Sequence, residues 1–449
     1  MIRGSWLVMD GDDTIAAIAT APGPSGLAVV RVSGPSAFGI AERLTGRAAT
    51  PGEMSLCKVK RPDASAVDQC VVLAFKAPRS YTGEDVVEFQ CHGGSVTPRR
   101  VLEAVFSAGA RLARRGEFTE RALLNGKIDY DQAESVLALV NAKTERAADA
   151  ALEGVFGRLH RESRSLYDSA LDVSTRLEHA LDISEGELPA SFFEEIRSRL
   201  RDLGGELHAG IARMRERRIL RDGAMVVLAG PPNVGKSSLM NALLEENRAI
   251  VSATPGTTRD SIEEWLDVRG WPVRLVDTAG LRKTSDEIEA EGVRRSEALV
   301  ERADVVLRLE VATAAACATI GERHPHEIRV FTKCDLLPQR PSPPNDAIFT
   351  SAATGDGLDD LKDAIATELE ALSAVGGDTE ADQGERALST YMEVHEKVSA
   401  AIAALSGDCD LVLLANEMRN IASQLGSLIG AEYSSDLLEN LFSRFCVGK

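Results

Sequence analysis

Between Asp13 and about Gly126, short aliphatic and β-branched runs are set among polar positions: Thr14 to Ala19, Gly26 to Val32, Cys70 to Phe75 and Asp85 to Gln90. Runs of this length and alternation are those of buried or half-buried strands, while Arg99 to Ala110 has the spacing of a helix, so the stretch is predicted to be an α+β domain. From Asp129 the period lengthens. Ala133, Val136, Leu137 and Val140 fall at i, i+3, i+4 and i+7, one stripe of an amphipathic helix, and long charged helices are predicted as far as Arg221. Strand-like runs return from about Asp222 to Leu372, and helical spacing resumes from about Arg386 to the end. Gly376-Gly-Asp-Thr-Glu-Ala-Asp382 reads as a flexible acidic linker. The expected organisation is a disordered extension over 1–12, an α+β domain over 13–126, a first helical segment over 127–221, an α/β domain over 222–372, a linker over 373–385 and a second helical segment over 386–449. The fold class is therefore multidomain, α/β and α+β, with a discontinuous helical domain into which the α/β domain is inserted and on which it is free to move.

The α/β stretch carries the strongest chemical signal. Met225 to Ala229 is a strand, Gly230-Pro-Pro-Asn233-Val234-Gly235-Lys236-Ser237 fits G-x-x-x-x-G-K-[ST], and Ser238 to Leu244 continues with helical spacing. Such a loop turns its N–H groups onto phosphate oxygens at a helix N-terminus, Lys236 can reach the terminal phosphates, and the Ser237 hydroxyl can ligate Mg²⁺. Downstream, Val273 to Asp277 is a strand ending in Asp277-Thr278-Ala279-Gly280. Asp277 can hold Mg²⁺ through water, and the Gly280 amide can sense the γ-phosphate. Ile328 to Thr332 is another strand, ending in Thr332-Lys333-Cys334-Asp335, a variant of Asn-Lys-x-Asp.

That last element selects the base. A carboxylate at Asp335 can accept both the ring N–H and the exocyclic amino group of guanine, a donor pair that adenine lacks, so GTP is expected over ATP. Thr332 stands where Asn is usual, which weakens the expected guanine pocket. Ser351-Ala352-Ala353, after the strand Ala347 to Thr350, reads as the last base-contacting loop. After Asp-x-x-Gly a Ras-type enzyme places a water-orienting Gln, and here the residue is Leu281. Catalytic groups must come from elsewhere. Thr258, in Gly256-Thr257-Thr258-Arg259-Asp260, reads as the Mg²⁺-sensing switch threonine, and Arg282, Asp286, Glu287 and Glu289 follow Leu281; each of these carboxylates alone reads equally as the solvated face of a helix.

Composition narrows the class. The 51 Lys and Arg against 69 Asp and Glu leave the 449-residue chain at −18, which opposes gripping nucleic acid by bulk attraction; an RNA ligand would require a local patch or a basic partner. No apolar run reaches the ~18 residues of a membrane span, and residues 1–12 do not read as a secretory signal. The seven cysteines form no C-x-x-C pair, so neither a disulfide framework nor a zinc site is indicated, and a reducing, cytoplasmic setting is expected.

The four nucleotide motifs, the domain order and the terminal Phe445-Cys446-Val447-Gly448-Lys449 together resemble the MnmE (TrmE) family of tRNA-modification GTPases over nearly the whole chain from Asp13. The resemblance implies an inserted Ras-like G domain that hydrolyses GTP with Mg²⁺, using K⁺ in place of an arginine finger when two G domains face each other in a homodimer. It assigns K⁺ to Asn233, Ser252, Thr254 and Thr257, with Ser252 departing from a Thr. It assigns the water-orienting role to Glu289, with Arg282 beside it. It further implies that the N-terminal domain binds a reduced folate (5-formyl- or methylene-tetrahydrofolate type) and dimerises, with contacts at Arg31, Glu88, Lys127 and Lys449. Read from the residues alone, Arg31 and Glu88 are also consistent with solvated strand positions. Cys446 follows the apolar stripe Leu437, Leu438, Leu441, Phe442 and Phe445 and reads either as a core residue or as a thiol held at the folate pocket. The partners implied are tRNA and a flavin-dependent protein of the MnmG (GidA) family, and the reaction is modification of C5 of the wobble uridine by an aminomethyl or carboxymethylaminomethyl type group. A ribosome-assembly GTPase or a GTP-gated scaffold would share the nucleotide motifs; no Gly-x-x-Gly module follows the G domain, and the chain has no second phosphate loop.

Overall fold

The structure, a computed structural model, describes residues 13–181, 188–246, 263–277, 298–313, 326–337, 347–375, 386–405, 410–429, 438 and 441–448. Contacts divide the chain into two compact units, Met1–Leu137 with Glu432–Lys449, and Ala138–Ala431. Among the described residues no helix is long and apolar enough to cross a membrane.

The first unit is built on a six-stranded sheet of β1 (Ile15–Ile18), β2 (Leu27–Ser33), β3 (Met54–Lys60), β4 (Ala66–Phe75), β5 (Val86–His92) and β6 (Arg111–Leu112), in the order β3-β4-β5-β2-β1-β6. Helices α1 (Ala37–Thr45) and α2 (Thr97–Ser107) cover one face. Because side chains alternate along a strand, Ala28, Val30 and Val32 of β2 and Val87, Phe89 and Cys91 of β5 enter that core together with Ile40 and Leu44 of α1 and Val101 and Val105 of α2. The intervening residues face the other way, where α3 (Glu117–Leu124) lies, and Phe118 joins Ile15, Ala17 and Ala113 in a small second core. The start of α4 (Tyr130–Asn141) packs Tyr130 and Ala133 against Leu441, Phe442 and Phe445. The helical pattern that begins at Asp129 thus contributes its first turns to the unit that holds the N-terminal sheet, as do the last residues of the chain.

The second unit contains α5 (Glu145–Val155), α6 (Arg158–Leu181) and α7 (Ala190–Asp222), and the helices Arg386–Ala404 and Leu411–Ile429. Leu166, Val173 and Leu177 of α6, Ile196, Leu200, Leu203 and Leu207 of α7, and Val394, Val398, Met418 and Ile421 of the last two form a continuous core. Helix α7 runs 33 residues, about 50 Å at 1.5 Å per residue. Its C-terminal end packs Leu220 against the nucleotide-domain core. That domain is a sheet of β7 (Ala224–Ala229), β8 (Glu263–Val268), β9 (Trp271–Asp277), β10 (Val305–Val311), β11 (Glu327–Thr332) and β12 (Ala347–Phe349), ordered β12-β11-β10-β7-β9-β8. Only β8 is antiparallel to its neighbour. The α/β reading holds, with α8 (Lys236–Glu246) following β7 and the helix Leu358–Val375 closing the domain, three residues beyond the expected Leu372.

Candidate functional site

Strand β7 is hydrogen-bonded to β9 on one side and β10 on the other, so the loop after it opens where the strand order reverses, the place where open α/β sheets bind ligands. Five of its six residues are buried, which fixes the strand and aims Gly230 to Gly235 out of its C-terminal end. Asn233 turns the loop in the left-handed region at φ 61°, and Val234 is buried beneath it. Lys236, 6% exposed, donates from Nζ to Gly230 O at 2.8 Å and Pro231 O at 3.0 Å, so its ammonium lies inside the loop. Ser237 Oγ donates to Asp277 Oδ2 at 2.7 Å. This joins the first residues of α8 to the end of β9 and brings together the hydroxyl and the carboxylate read as Mg²⁺ groups, two hard oxygen donors suited to a divalent cation. Ser238 is exposed one residue further on.

The base-selecting segment meets the same loop. Thr332, buried at the end of β11, donates from Oγ1 to Val234 O at 2.6 Å, with Glu310 O at 3.2 Å. Lys333, left-handed at φ 58°, donates from Nζ to Asn233 O at 2.9 Å. Cys334–Leu336 is a short 3₁₀ turn that leaves Asp335 exposed. Ser351 Oγ, wholly buried, donates to Asp335 Oδ1 at 2.6 Å and accepts the N–H of Ala353 at 3.3 Å. Ala352 is the exposed residue between them. Ser252, Thr254, Thr257, Thr258, Thr278, Ala279, Gly280, Arg282 and Glu289 lie outside the described residues, as does Lys449.

In the first unit, register places Arg31 of β2 directly opposite Glu88 of β5. Arg31 Nε donates to Glu88 Oε1 at 2.8 Å, and both side chains are mostly buried. The solvated alternative for these two strand positions is thereby corrected: the guanidinium is covered by Tyr81 and Phe118, whose ring centres lie 5.5 and 5.6 Å from Cζ. Tyr81 itself is tied through its hydroxyl to Thr119 Oγ1 at 2.9 Å. Burial raises its phenol's pKa, against the opposing effects of that bond and of Arg31, so it stays protonated at neutral pH. Lys127 Nζ donates to Pro78 O at 3.0 Å and packs against Gly83 of the segment that carries Tyr81.

The C-terminal segment lies on this unit. Val447 bridges to Arg115, Gly116 N–H donates to Cys446 O at 3.4 Å, and Gly448, at φ 108°, approaches Ile18 so closely that a Cβ would meet its carbonyl at 2.3 Å. Phe445 fills the small helical core, whereas Cys446 is exposed. The core reading of this thiol is corrected, because the stripe that buries Phe442 and Phe445 ends one residue before it.

Sequence reasoning did not find the charged cluster beside this face. Glu117, fully buried, accepts from Arg111 Nη1 at 2.8 Å, Arg114 N–H at 2.7 Å and Arg121 Nη2 at 3.2 Å. Arg121, 2% exposed, also reaches Asp13 and Glu84. Burial alone would raise the Glu117 pKa, yet the hydrogen bonds and charges of Arg111, Arg114 and Arg121 outweigh it and hold the carboxyl at about 2. Arg-Gly-Glu-Phe-Thr-Glu-Arg is a conspicuous density of charge in sequence, but such a run also describes an exposed helix.

Comparison with known proteins covers both units. The family described as the GTP-binding protein TrmE N-terminus matches residues 14–127, and the MnmE helical domain matches residues 131–446. The tRNA modification GTPase MnmE of Azoarcus sp. (strain BH72) is 42% identical over 458 residues, covering 97% of this chain and 98% of its own. That of Alkalilimnicola ehrlichii is 39% identical, covering 97% and 99%, and that of Geobacter metallireducens 37%, covering 98% and 99%. With identity at this level spread over the N-terminal sheet, the helices and the phosphate loop between them, the chain belongs to the MnmE family of tRNA modification GTPases.

Proposed function

We propose that the protein is a potassium-stimulated GTP hydrolase that works as a cytoplasmic homodimer. With a flavin-dependent partner of the MnmG (GidA) type, it modifies C5 of the wobble uridine of certain tRNAs, with a reduced folate as carbon donor. The observation that carries the GTPase part is the convergence at the end of β7: Ser237 on Asp277, and Thr332 and Lys333 on the carbonyls of Val234 and Asn233. In this reading Lys236 and loop N–H groups bind the phosphates, Ser237 and Thr258 hold Mg²⁺ with Asp277 behind them, and Asp335 selects guanine. Bound K⁺ would add positive charge beside the transferred phosphoryl group, held by Asn233, Ser252, Thr254 and Thr257, and Glu289 with Arg282 would place the water. The folate part is supported by the aromatic-walled Arg31–Glu88 pair, whose cation suits a carboxylate or formyl oxygen and whose carboxylate suits pterin donors. Lys127, Lys449 and the exposed Cys446 complete that assignment.

The test is GTP hydrolysis with Mg²⁺ in KCl and in NaCl at matched ionic strength, with association state followed by light scattering. Strong stimulation by K⁺ together with dimerisation in a transition-state analogue is expected. Equal slow rates in both salts would remove potassium from the mechanism, and a titration showing no binding of 5-formyl-tetrahydrofolate would favour the scaffold or assembly reading.

A further inference from the structure

We infer that Thr332 is a positioning residue that reads no part of the base: its hydroxyl pins the phosphate loop and leaves guanine N7 unread, so guanine is selected by Asp335. This inference rests on the guanine-nucleotide reading above. A threonine hydroxyl has one hydrogen to give. Thr332 Oγ1 lies 2.6 Å from Val234 O and 3.2 Å from Glu310 O, both acceptors only, and its side chain is buried between them. The hydrogen is therefore spent inside the protein. What remains on Oγ1 is lone pairs, while the guanine edge carrying N7 and O6 offers only acceptors. Two acceptors facing each other gain nothing.

Asp335 is arranged in the opposite way. Ser351 Oγ fixes its Oδ1 at 2.6 Å, and Ser351 is itself held through its N–H to Asp356 O at 2.9 Å and by the N–H of Ala353 on its hydroxyl. Oδ2 has no partner among the described residues, which leaves an anchored acceptor for the ring N–H and amino group of guanine. Lys333, bonded to Asn233 O, repeats the grip one residue along. The last residue of β11 and the one after it thus hold two consecutive carbonyls of the phosphate loop, and the cost of losing Thr332 falls on phosphate binding whatever the base.

The experiment is equilibrium titration of the full-length protein, with Mg²⁺, against GDP, 7-deaza-GDP and IDP, which lacks the amino group. GDP and 7-deaza-GDP are expected to bind within about twofold of each other, and IDP at least about tenfold more weakly, the effect of one hydrogen bond to a charged group. Thr332→Val should weaken GDP and 7-deaza-GDP by one common factor of about ten, because it leaves a buried carbonyl unpaired, and Thr332→Ser should recover most of that loss. A native preference for GDP over 7-deaza-GDP of about tenfold or more that disappears in Thr332→Val would overturn the inference while leaving the guanine reading intact. Equal binding of GDP and IDP would instead sink the assignment of Asp335, and with it the guanine reading itself. The comparison of nucleotides on the native protein needs no variant to fold.

Discussion

Lys236 keeps its ammonium inside the loop by donating to two backbone carbonyls, Gly230 O and Pro231 O. Phosphate oxygens are stronger, charged acceptors, so a bound triphosphate draws the same ammonium to itself with little reorganisation. Lys236→Ala is expected to lower kcat for GTP hydrolysis by about 10²–10³-fold, the usual cost of deleting one preorganised donor, with an unchanged circular dichroism spectrum; activity within a few fold of native would mean the ammonium is not used. Glu117 makes a different kind of prediction. Its carboxyl is held at about 2 in the fold against 4.5 for a free side chain, so the unfolded chain binds the proton more readily. The stability this contributes is complete above about pH 4.5 and is lost as pH falls toward 2. Glu117→Gln should cost about 3–5 kcal/mol at pH 7, as expected when one partner of a buried ion pair is removed, and should flatten the acid limb of a urea-midpoint against pH plot; an unaltered limb would place the acid sensitivity elsewhere. Of these two sites only the first was legible in the sequence. The phosphate loop is contiguous, and its chemistry follows from eight adjacent residues. Glu117 depends on Arg111 and Arg121 being brought to it, with Asp13 and Glu84 gathered around Arg121, and the pairing of Arg31 with Glu88 depends on a strand register between positions 57 residues apart. Local spacing carries neither.

The sequence reads as long charged helices as far as Arg221, and α7 is one of them; what that pattern does not give is the closeness of its partner. Gly210 is buried in α7 against Tyr391, where an added Cβ would come within 2.8 Å of the ring. Tyr391 cannot swing away, since it is fully buried and its hydroxyl is 3.0 Å from Ser163 Oγ of α6. In an exposed helix Gly→Ala gains up to about 1 kcal/mol. Here overpacking costs about 1–3 kcal/mol and outweighs it, so Gly210→Ala is expected to lower the urea midpoint of the helical core. Tyr391→Phe should cost about 1 kcal/mol through the lost hydrogen bond without relieving the ring contact, and a double variant with Tyr391→Ala should lose the clash penalty of Gly210→Ala, which a purely backbone effect would not. A midpoint raised by Gly210→Ala alone would refute the close-packing account. Strands β7, β9, β11 and β12 were legible because each is a mostly apolar run leading into a nucleotide motif, as parallel strands buried on both faces are, whereas the antiparallel edge strand β8, Glu-Glu-Trp-Leu-Asp-Val, and β10 carry no such motif and were not read. The division into compact units was less so: periodicity shows that Tyr130 begins a helix, but not that its first turn shares a core with Phe442 and Phe445 near the other end of the chain.

A chain at −18 that acts on tRNA must contend with its own field. Among the described residues several of the arginines that could offset it are held in ion pairs: Arg111 and Arg121 to Glu117 and Asp13, Arg146 to Glu216, Arg158 to Glu153 and Glu162, Arg176 and Arg199 to Asp172 and Glu195, and Arg269 to Asp359 and Asp363. Sequence-independent grip on RNA grows with the number of phosphates neutralised, and each such contact on a single strand steepens the fall of log K against log salt by about 0.7. The surplus of acidic charge, −18 over the chain, repels phosphates and opposes the gathering of such contacts. The protein alone is therefore expected to retain tRNA only weakly in filter binding at physiological salt, with a shallow salt slope, and the proposed flavin-dependent partner is expected to bring most of the phosphate contacts, so that the complex binds tightly with a steep slope. If the partner supplies the cations that face the RNA, GTP should change the affinity of the complex while leaving that slope nearly constant. Tight binding by the protein alone with a steep slope would locate a basic RNA face on this chain, and arginines outside the ion pairs named above would be the residues to neutralise in finding it.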